Sequence, residues 1–150
     1  LLATSVIAGQ VAQTYSSKLH ALRKQYADRK KVSVFYQVWN RPLLTINGEH
    51  LINSVIDLCG GENVFSDIKT LVPQVNIEAM IEKNPQVIVI GMNEQRKDWL
   101  DEWQQWQDLS AVKNNHVYSI NADLIVRHTP RIIAGAGQLC GFLDEARGLK

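Results

Sequence analysis

The chain has little of what marks several classes of protein. Its net charge is only +1 with the signs mixed along 150 residues, whereas non-specific nucleic-acid binding needs a basic face. No apolar run approaches the ~18 residues of a membrane span. The Walker A and G-x-G-x-x-G phosphate-binding motifs are absent from the sequence, and no Ser, Cys or Lys stands in a recognisable nucleophile elbow. We therefore expect no nucleic-acid partner, no membrane span and no catalytic residues.

Histidine and cysteine are also sparse. The four histidines share no metal-ligand spacing, so we expect no resident metal or cofactor: His20, His50, His116 and His128. The two cysteines, Cys59 and Cys140, belong to no C-x-x-C pattern. On the residues alone they are either two inert buried thiols or a disulfide, which requires an oxidising compartment.

What is present is ordinary for a globular domain, with 45% apolar and 21% charged residues. The chain begins without Met and within a helical pattern, which favours a piece of a longer protein in which a lobe upstream is missing. Apolar residues of this first helix recur at steps of three and four: Ile7, Val11, Tyr15, Leu19, Leu22 and Tyr26.

Strands and helices then alternate along the chain. Three strands are predicted at residues 32–39, 87–90 and 117–120, and the first two are apolar on nearly both faces, as in a sheet covered by helices on both sides. Asn47 and Asn76 are predicted helix caps, and Gly60-Gly61 a helix stop. The alternation predicts an α/β, three-layer sandwich with a mainly parallel, Rossmann-like sheet.

The carboxyl ends of parallel strands share one edge, where open α/β sheets bind small molecules. Five side chains of the loops at that edge are candidate ligand contacts: Trp39, Leu43, Leu44, Asp123 and Arg127. The alternatives are a Trp that only covers the sheet edge and a surface ion pair between Asp123 and Arg127. Glu78 either stabilises a helix N-terminus or meets an arginine of a partner protein.

Two motifs carry a resemblance to a known family, Tyr-Gln-x-Trp at 36–39 and Cys-Gly-Gly-x-Asn-x-Phe at 59–65. Further matching segments are Pro-Leu-Leu-Thr at 42–45, Pro-Gln-Val-Asn-Ile-Glu at 73–78, Pro-Gln-Val-Ile-Val at 85–89, Leu-x-Ala-Val-Lys at 109–113 and Arg-x-Thr-Pro-Arg at 127–131. Together these segments resemble the C-terminal lobe of periplasmic vitamin B12 (cobalamin) binding proteins of ABC importers, which are helix-bridged, class III solute-binding proteins. The match covers essentially the whole chain.

The resemblance implies a C-terminal ligand-binding lobe over residues 30–150, one Rossmann-like lobe of two, preceded by a long interlobe backbone helix over 1–29. It also implies a disulfide between Cys59 and Cys140, contact of Asp123 and Arg127 with the ligand, and docking of Glu78 onto the permease. The expected function is capture of cobalamin in the periplasm and delivery to an ABC importer.

Three alternatives remain open. Haem or a ferric siderophore is the other ligand class, with His128 as an axial haem ligand. From other classes, the chain is either a small flavodoxin-like α/β enzyme or an interaction module, with Glu78 and the acidic helix face of residues 98–102 as its partner surfaces. The sequence also departs from some relatives, which carry tryptophan where Val72 and Leu124 stand, and one has glycine in place of Trp39.

Overall fold

The computed structural model describes residues 17–93, 98–125 and 130–148. Apart from two short 3-10 turns, Trp103–Gln105 and Ala122–Leu124, the elements in chain order are α1 (described over 17–26), β1 (Val32–Gln37), α2 (Leu51–Leu58), β2 (Gly61–Asn63), α3 (Ile77–Lys83), β3 (Val87–Met92), α4 (Asp98–Glu102), α5 (Ser110–Lys113), β4 (Val117–Asn121) and α6 (Arg131–Ala146).

The four strands form one sheet in the order β2-β1-β3-β4, and every pairing between neighbours is parallel. β1 and β3 lie at the centre, with Val34 opposite Val87, and nearly all their residues are buried. Strands buried on both faces need apolar side chains on both, which explains why these two strands are apolar on nearly both faces. The predicted α/β fold with a mainly parallel sheet is therefore confirmed.

The sheet separates two hydrophobic clusters, which makes the structure three-layered. On one face Val34, Tyr36 and Val89 pack with side chains of α1, α2 and α6. On the other face Phe35 and Ile88 pack with side chains of α3, α4 and α5. Alternate residues of one strand enter opposite clusters because successive side chains point to opposite faces.

A disulfide joins the end of α2 to α6. Cys59 and Cys140 are bonded at a sequence separation of 81, and both are fully buried. Their proximity is decided by α2 and α6 packing on the same face of the sheet. The pairing implied by the family resemblance is confirmed.

Several local predictions were wrong. Gly60 has the expected positive φ of 80°, but Gly61 begins β2, a strand that the sequence did not predict. It was missed because Gly-Glu-Asn shows no apolar alternation. The side chain that caps α2 belongs to His50, whose ring accepts from the Ile52 N–H, while Asn47 binds the Glu49 N–H in the loop before it. β1 also ends at Gln37 and does not reach Trp39.

The recurrence of Trp99, Trp103 and Trp106 at steps of four and three predicts one helix with a packing stripe, but the helix is shorter. α4 ends at Glu102, and a 3-10 turn, Trp103–Gln105, replaces its second half. Trp99 and Trp103 are buried as a packing pair would be, whereas Trp106 lies beyond the helix and borders a cleft. Thr129-Pro130 is typical of a helix cap followed by Pro at the first helical position. Thr129 lies outside the described residues; α6 begins at Arg131, with Pro130 at the capping position.

Candidate ligand-binding site

The loop after β1 folds back on itself directly at the carboxyl edge of the sheet. The Leu44 N–H donates to the Trp39 carbonyl at 3.1 Å, and the Val38 N–H donates to the Leu44 carbonyl at 2.9 Å. A second segment supports the loop, because the Val75 N–H donates to the Leu43 carbonyl at 3.0 Å. Backbone hydrogen bonds on both sides therefore hold residues 38–44 as a formed surface rather than an open loop.

Trp39 is the aromatic residue of this loop, and 45% of its surface is accessible. Its ring system packs edge-to-face with that of Trp99 of α4, with centroids 5.6 Å apart and planes at 82°. Edge-to-face packing of this kind orients an aromatic ring while leaving much of its surface open. The side chain is thus anchored on one side and accessible on the other.

Leu43 and Leu44 are both half-buried, but they lie in different surroundings. Leu44 pairs through its backbone with Trp39 and Gln74. Leu43 turns into a cleft of about 260 Å³ beside the loop, between the start of α3 and the end of α4. Apolar side chains form part of its lining and polar ones the rest: Leu43, Ile77, Trp103 and Trp106, with Asn40, Arg41, Glu102 and Gln105.

A relay of side-chain hydrogen bonds ties the loop to α4. The buried indole of Trp103 donates from Nε1 to Gln37 Oε1 at 2.7 Å, and Gln37 Nε2 donates to Asn40 Oδ1 at 3.2 Å. Asn40 Nδ2 then donates to Glu102 Oε2 at 2.7 Å, and Arg41 lies 3.6 Å from Glu102 Oε1. We call these four residues, Trp103, Gln37, Asn40 and Glu102, the amide relay.

Sequence reasoning missed the amide relay. One signal was available, because Gln37 is a polar residue at the end of a mostly apolar strand; it is fully buried, and a buried amide needs partners. One partner, Asn40, is local, but the other, Trp103, is 66 positions away along the chain. The acidic face of α4 was an alternative partner surface, yet the Glu102 carboxylate is bound within the chain.

Asp123 follows β4 at the same edge of the sheet. It is exposed and lies in the 3-10 turn Ala122–Leu124, where its N–H binds Asn121 Oδ1 at 2.9 Å. Because β1, β3 and β4 are parallel neighbours, the segments that carry Trp39 and Asp123 leave the sheet in the same direction. Arg127, the other predicted contact of this loop, and His128 lie outside the described residues.

Glu78 is exposed in the first turn of α3, next to Ile77 of the cleft wall. The predicted cap is present, since Asn76 Oδ1 accepts from the Ala79 N–H at 2.8 Å. A carboxylate at this position interacts favourably with the helix N-terminus. That interaction leaves its outward side accessible.

The described histidines serve local structure. His20 is exposed, and His116 Nδ1 lies 2.8 Å from the Tyr118 hydroxyl. Burial, with Glu145 nearby, raises the pKa of Tyr118 to about 12, so this hydroxyl is protonated at neutral pH. Burial lowers the pKa of His50, which keeps the ring neutral and able to accept its capping hydrogen bond. No three His, Cys, Asp or Glu residues in the described parts of the chain are grouped as a metal site.

Residues 8–124 match the model of the family described as periplasmic binding protein, and the chain belongs to that family. It is 34% identical to the vitamin B12-binding protein of Vibrio parahaemolyticus over 92% of this chain and 50% of that protein. It superposes with a TM-score of 0.83 on the periplasmic vitamin B12 binding protein BtuF of Vibrio cholerae, at 38% identity, covering 91% of this chain and 53% of the other. The periplasmic heme binding protein HutB of Vibrio cholerae is 18% identical with a TM-score of 0.79 over 93% of this chain and 57% of the other, a likeness in fold alone.

The chain spans about half the length of the curated relatives it matches. Membership of a family of binding proteins confirms that the chain is not an enzyme, so the flavodoxin-like enzyme alternative was wrong. Within the described ranges, no helix combines the length and apolarity needed to cross a bilayer.

Proposed function

We propose that this chain is the C-terminal lobe of a two-lobed periplasmic solute-binding protein that captures cobalamin and delivers it to an ABC importer. The observation that carries the proposal is the anchored, half-exposed Trp39 on a hydrogen-bonded loop, at the edge of a lobe similar over its length to half of a vitamin B12-binding protein. Residues 1–29 then form the interlobe helix and residues 30–150 the lobe.

Cobalamin suits such a surface physically. Its corrin ring is a large rigid disc with amides around the rim, so little ordering entropy is lost on binding. An aromatic ring and apolar side chains supply contact area, while a few polar groups set orientation. The contact area would come from Trp39, Leu43 and Leu44. The polar groups that set orientation would be those of Asp123 and Arg127.

A lobe with half of the contacts should bind weakly when alone. We expect calorimetric titration of the 150-residue chain with cyanocobalamin to give weak or undetectable binding, and the full-length protein to bind tightly. Nanomolar affinity of the chain by itself would contradict the two-lobe proposal. Haem serves as the competing ligand, and a Soret shift without cobalamin binding would move the assignment to haem.

Trp39 provides the direct test of the site. Trp39→Ala in the full-length protein should weaken cobalamin binding about tenfold to a hundredfold, because truncation of an aromatic anchor costs roughly 1.4–2.8 kcal/mol and each ~1.4 kcal/mol is tenfold in affinity. Ile81→Ala is the matched control, since this apolar side chain is similarly exposed, at 47%, but lies on α3. Equal affinities for the two variants would exclude Trp39 from the site.

Glu78 is proposed to dock the lobe onto arginines of the permease. Glu78→Ala in the full-length protein should impair cobalamin uptake without changing affinity for cobalamin. Glu82→Ala is the control, because it removes an exposed carboxylate one turn later on α3. A loss of affinity in Glu78→Ala, or equal transport defects in both variants, would argue against a docking role.

A further inference from the structure

The amide relay has a single permitted direction of hydrogen bonding. The indole of Trp103 can only donate, and the ionised carboxylate of Glu102 can only accept. The Gln37 oxygen must therefore face Trp103, which leaves its NH₂ group for Asn40. The Asn40 oxygen is used in turn, so its NH₂ group must face Glu102. Both amide orientations are set by the two ends.

The relay runs directly beneath the residue that carries the proposed ligand contact. Gln37 Nε2 lies 3.4 Å from the Trp39 carbonyl as well as 3.2 Å from Asn40 Oδ1. Trp39 therefore stands between two positions that the relay holds. Its ring also rests on Trp99, which belongs to α4 like Glu102. The backbone of Trp39, through the amide relay, and its ring, through Trp99, are therefore both positioned by α4.

We propose that Glu102 is a positioning residue that holds the 39–41 loop in its ligand-binding shape through Asn40 and Arg41. In this role Glu102 acts through Asn40 and Arg41 and not through a contact of its own with the ligand. Its effect is preorganisation, because a loop already held in the bound shape loses less entropy on binding. This inference rests on the proposed cobalamin site, and it adds the element that orients it.

The last hydrogen bond of the relay can be broken and then rebuilt in reverse. Asn40→Asp places a second carboxylate against Glu102 and removes the donor. Adding Glu102→Gln supplies a new donor on the other side, so the side-chain amide of residue 102 donates to the carboxylate of residue 40. The double variant has the same net charge as the wild type. The double variant therefore separates a role of Glu102 that depends on the hydrogen bond to residue 40 from one that depends on net charge.

The expected results concern cyanocobalamin affinity of the full-length protein, measured by calorimetry. N40D should weaken binding about tenfold, since it removes a hydrogen bond to a charged group and only part of that loss reaches the ligand. E102Q, which keeps an acceptor but loses the charge facing Arg41, should weaken it roughly threefold. N40D/E102Q should recover to within about threefold of wild type. Asp101→Asn, an exposed neighbour on α4, should bind as the wild type does.

A second readout keeps the inference separate from the proposed function. The indole N–H resonance of Trp39, assigned by its loss in Trp39→Phe, should shift in N40D and return in N40D/E102Q. If the wild type binds no cobalamin, the proposed function fails and this resonance alone decides the positioning role. Failure of the double variant to restore the resonance, or affinity where binding is measurable, would overturn the inference.

Discussion

Removing the guanidinium of Arg147 should be among the most damaging single changes to this fold. Arg147 follows α6, and only 3% of its side chain is exposed. Its Nε donates to the Lys30 carbonyl at 2.6 Å, one NH₂ group to Asp144 at 2.8 Å, and the other to the Cys59 carbonyl at 2.8 Å. These contacts tie α6 to the end of α2 and to the connection between α1 and β1.

The magnitude follows from what Arg147→Met leaves behind. The variant keeps the apolar stem but removes the donor to three backbone carbonyls, those of Lys30, Cys59 and Gly60. It also removes the nearer cation of Asp144, a carboxylate that is only 18% exposed and keeps Arg29 at 3.9 Å. Breaking a buried ion pair by removing one partner costs about 3–5 kcal/mol, against a total stability of about 5–15 kcal/mol. With a urea m-value of about 2 kcal/mol/M, the unfolding midpoint should fall by ~1.5–2.5 M.

Urea unfolding followed by circular dichroism measures the effect on the chain. Arg147→Lys should recover only part of the loss, because an ammonium cannot reproduce the fork of planar donors. Arg131→Met is the control at the other end of α6; this residue is exposed, so its unfolding free energy should change by less than about 0.5 kcal/mol. A loss below about 1 kcal/mol in Arg147→Met would refute the reasoning.

Three further changes test other parts of the fold. Gly135→Ala should destabilise the chain, because a Cβ there meets the side chain of Ile125, whereas Gly137→Ala on the same helix meets nothing and should stabilise it by up to about 1 kcal/mol. His50→Asn should keep a side chain that caps α2. The unfolding free energy of the wild type should decrease as the pH falls from about 7 to 5, and the variant should not show this decrease. Replacing both half-cystines by Ala should cost about 4.5 kcal/mol in the chain-entropy model for a loop of 81 positions.

The sign of the His50 effect follows from the lowered pKa in the folded state. The unfolded chain binds a proton more readily, so the contribution of His50 is complete above its unfolded pKa and is lost as the pH falls through the folded one. Thermal or urea unfolding at several pH values measures it; parallel pH profiles for the wild type and His50→Asn would contradict it. Equal changes in unfolding free energy for Gly135→Ala and Gly137→Ala would contradict the glycine prediction. An unchanged unfolding free energy without the disulfide would contradict the disulfide prediction.

Features that depend on neighbours along the chain could be predicted from the sequence. Runs that are apolar on nearly both faces identified β1 and β3, because a strand covered on both faces has no polar side. Asn76 was recognised as a cap because its side chain serves its own helix. Gly60 was recognised because its conformation is costly for other residues. Such signals also predicted the parallel sheet, and with it the edge that carries Trp39 and Asp123.

Features that depend on the order of strands and the packing of distant helices were decided only by the tertiary structure. Gly61 becomes a strand residue because the edge of β1 is open to it, not because of its own sequence. Gln37 meets Trp103, and Asn40 meets Glu102, across separations of more than 60 positions. The type of a side chain determines which hydrogen bonds it needs. The tertiary structure determines the partners, because they come from elements that only the sheet brings together.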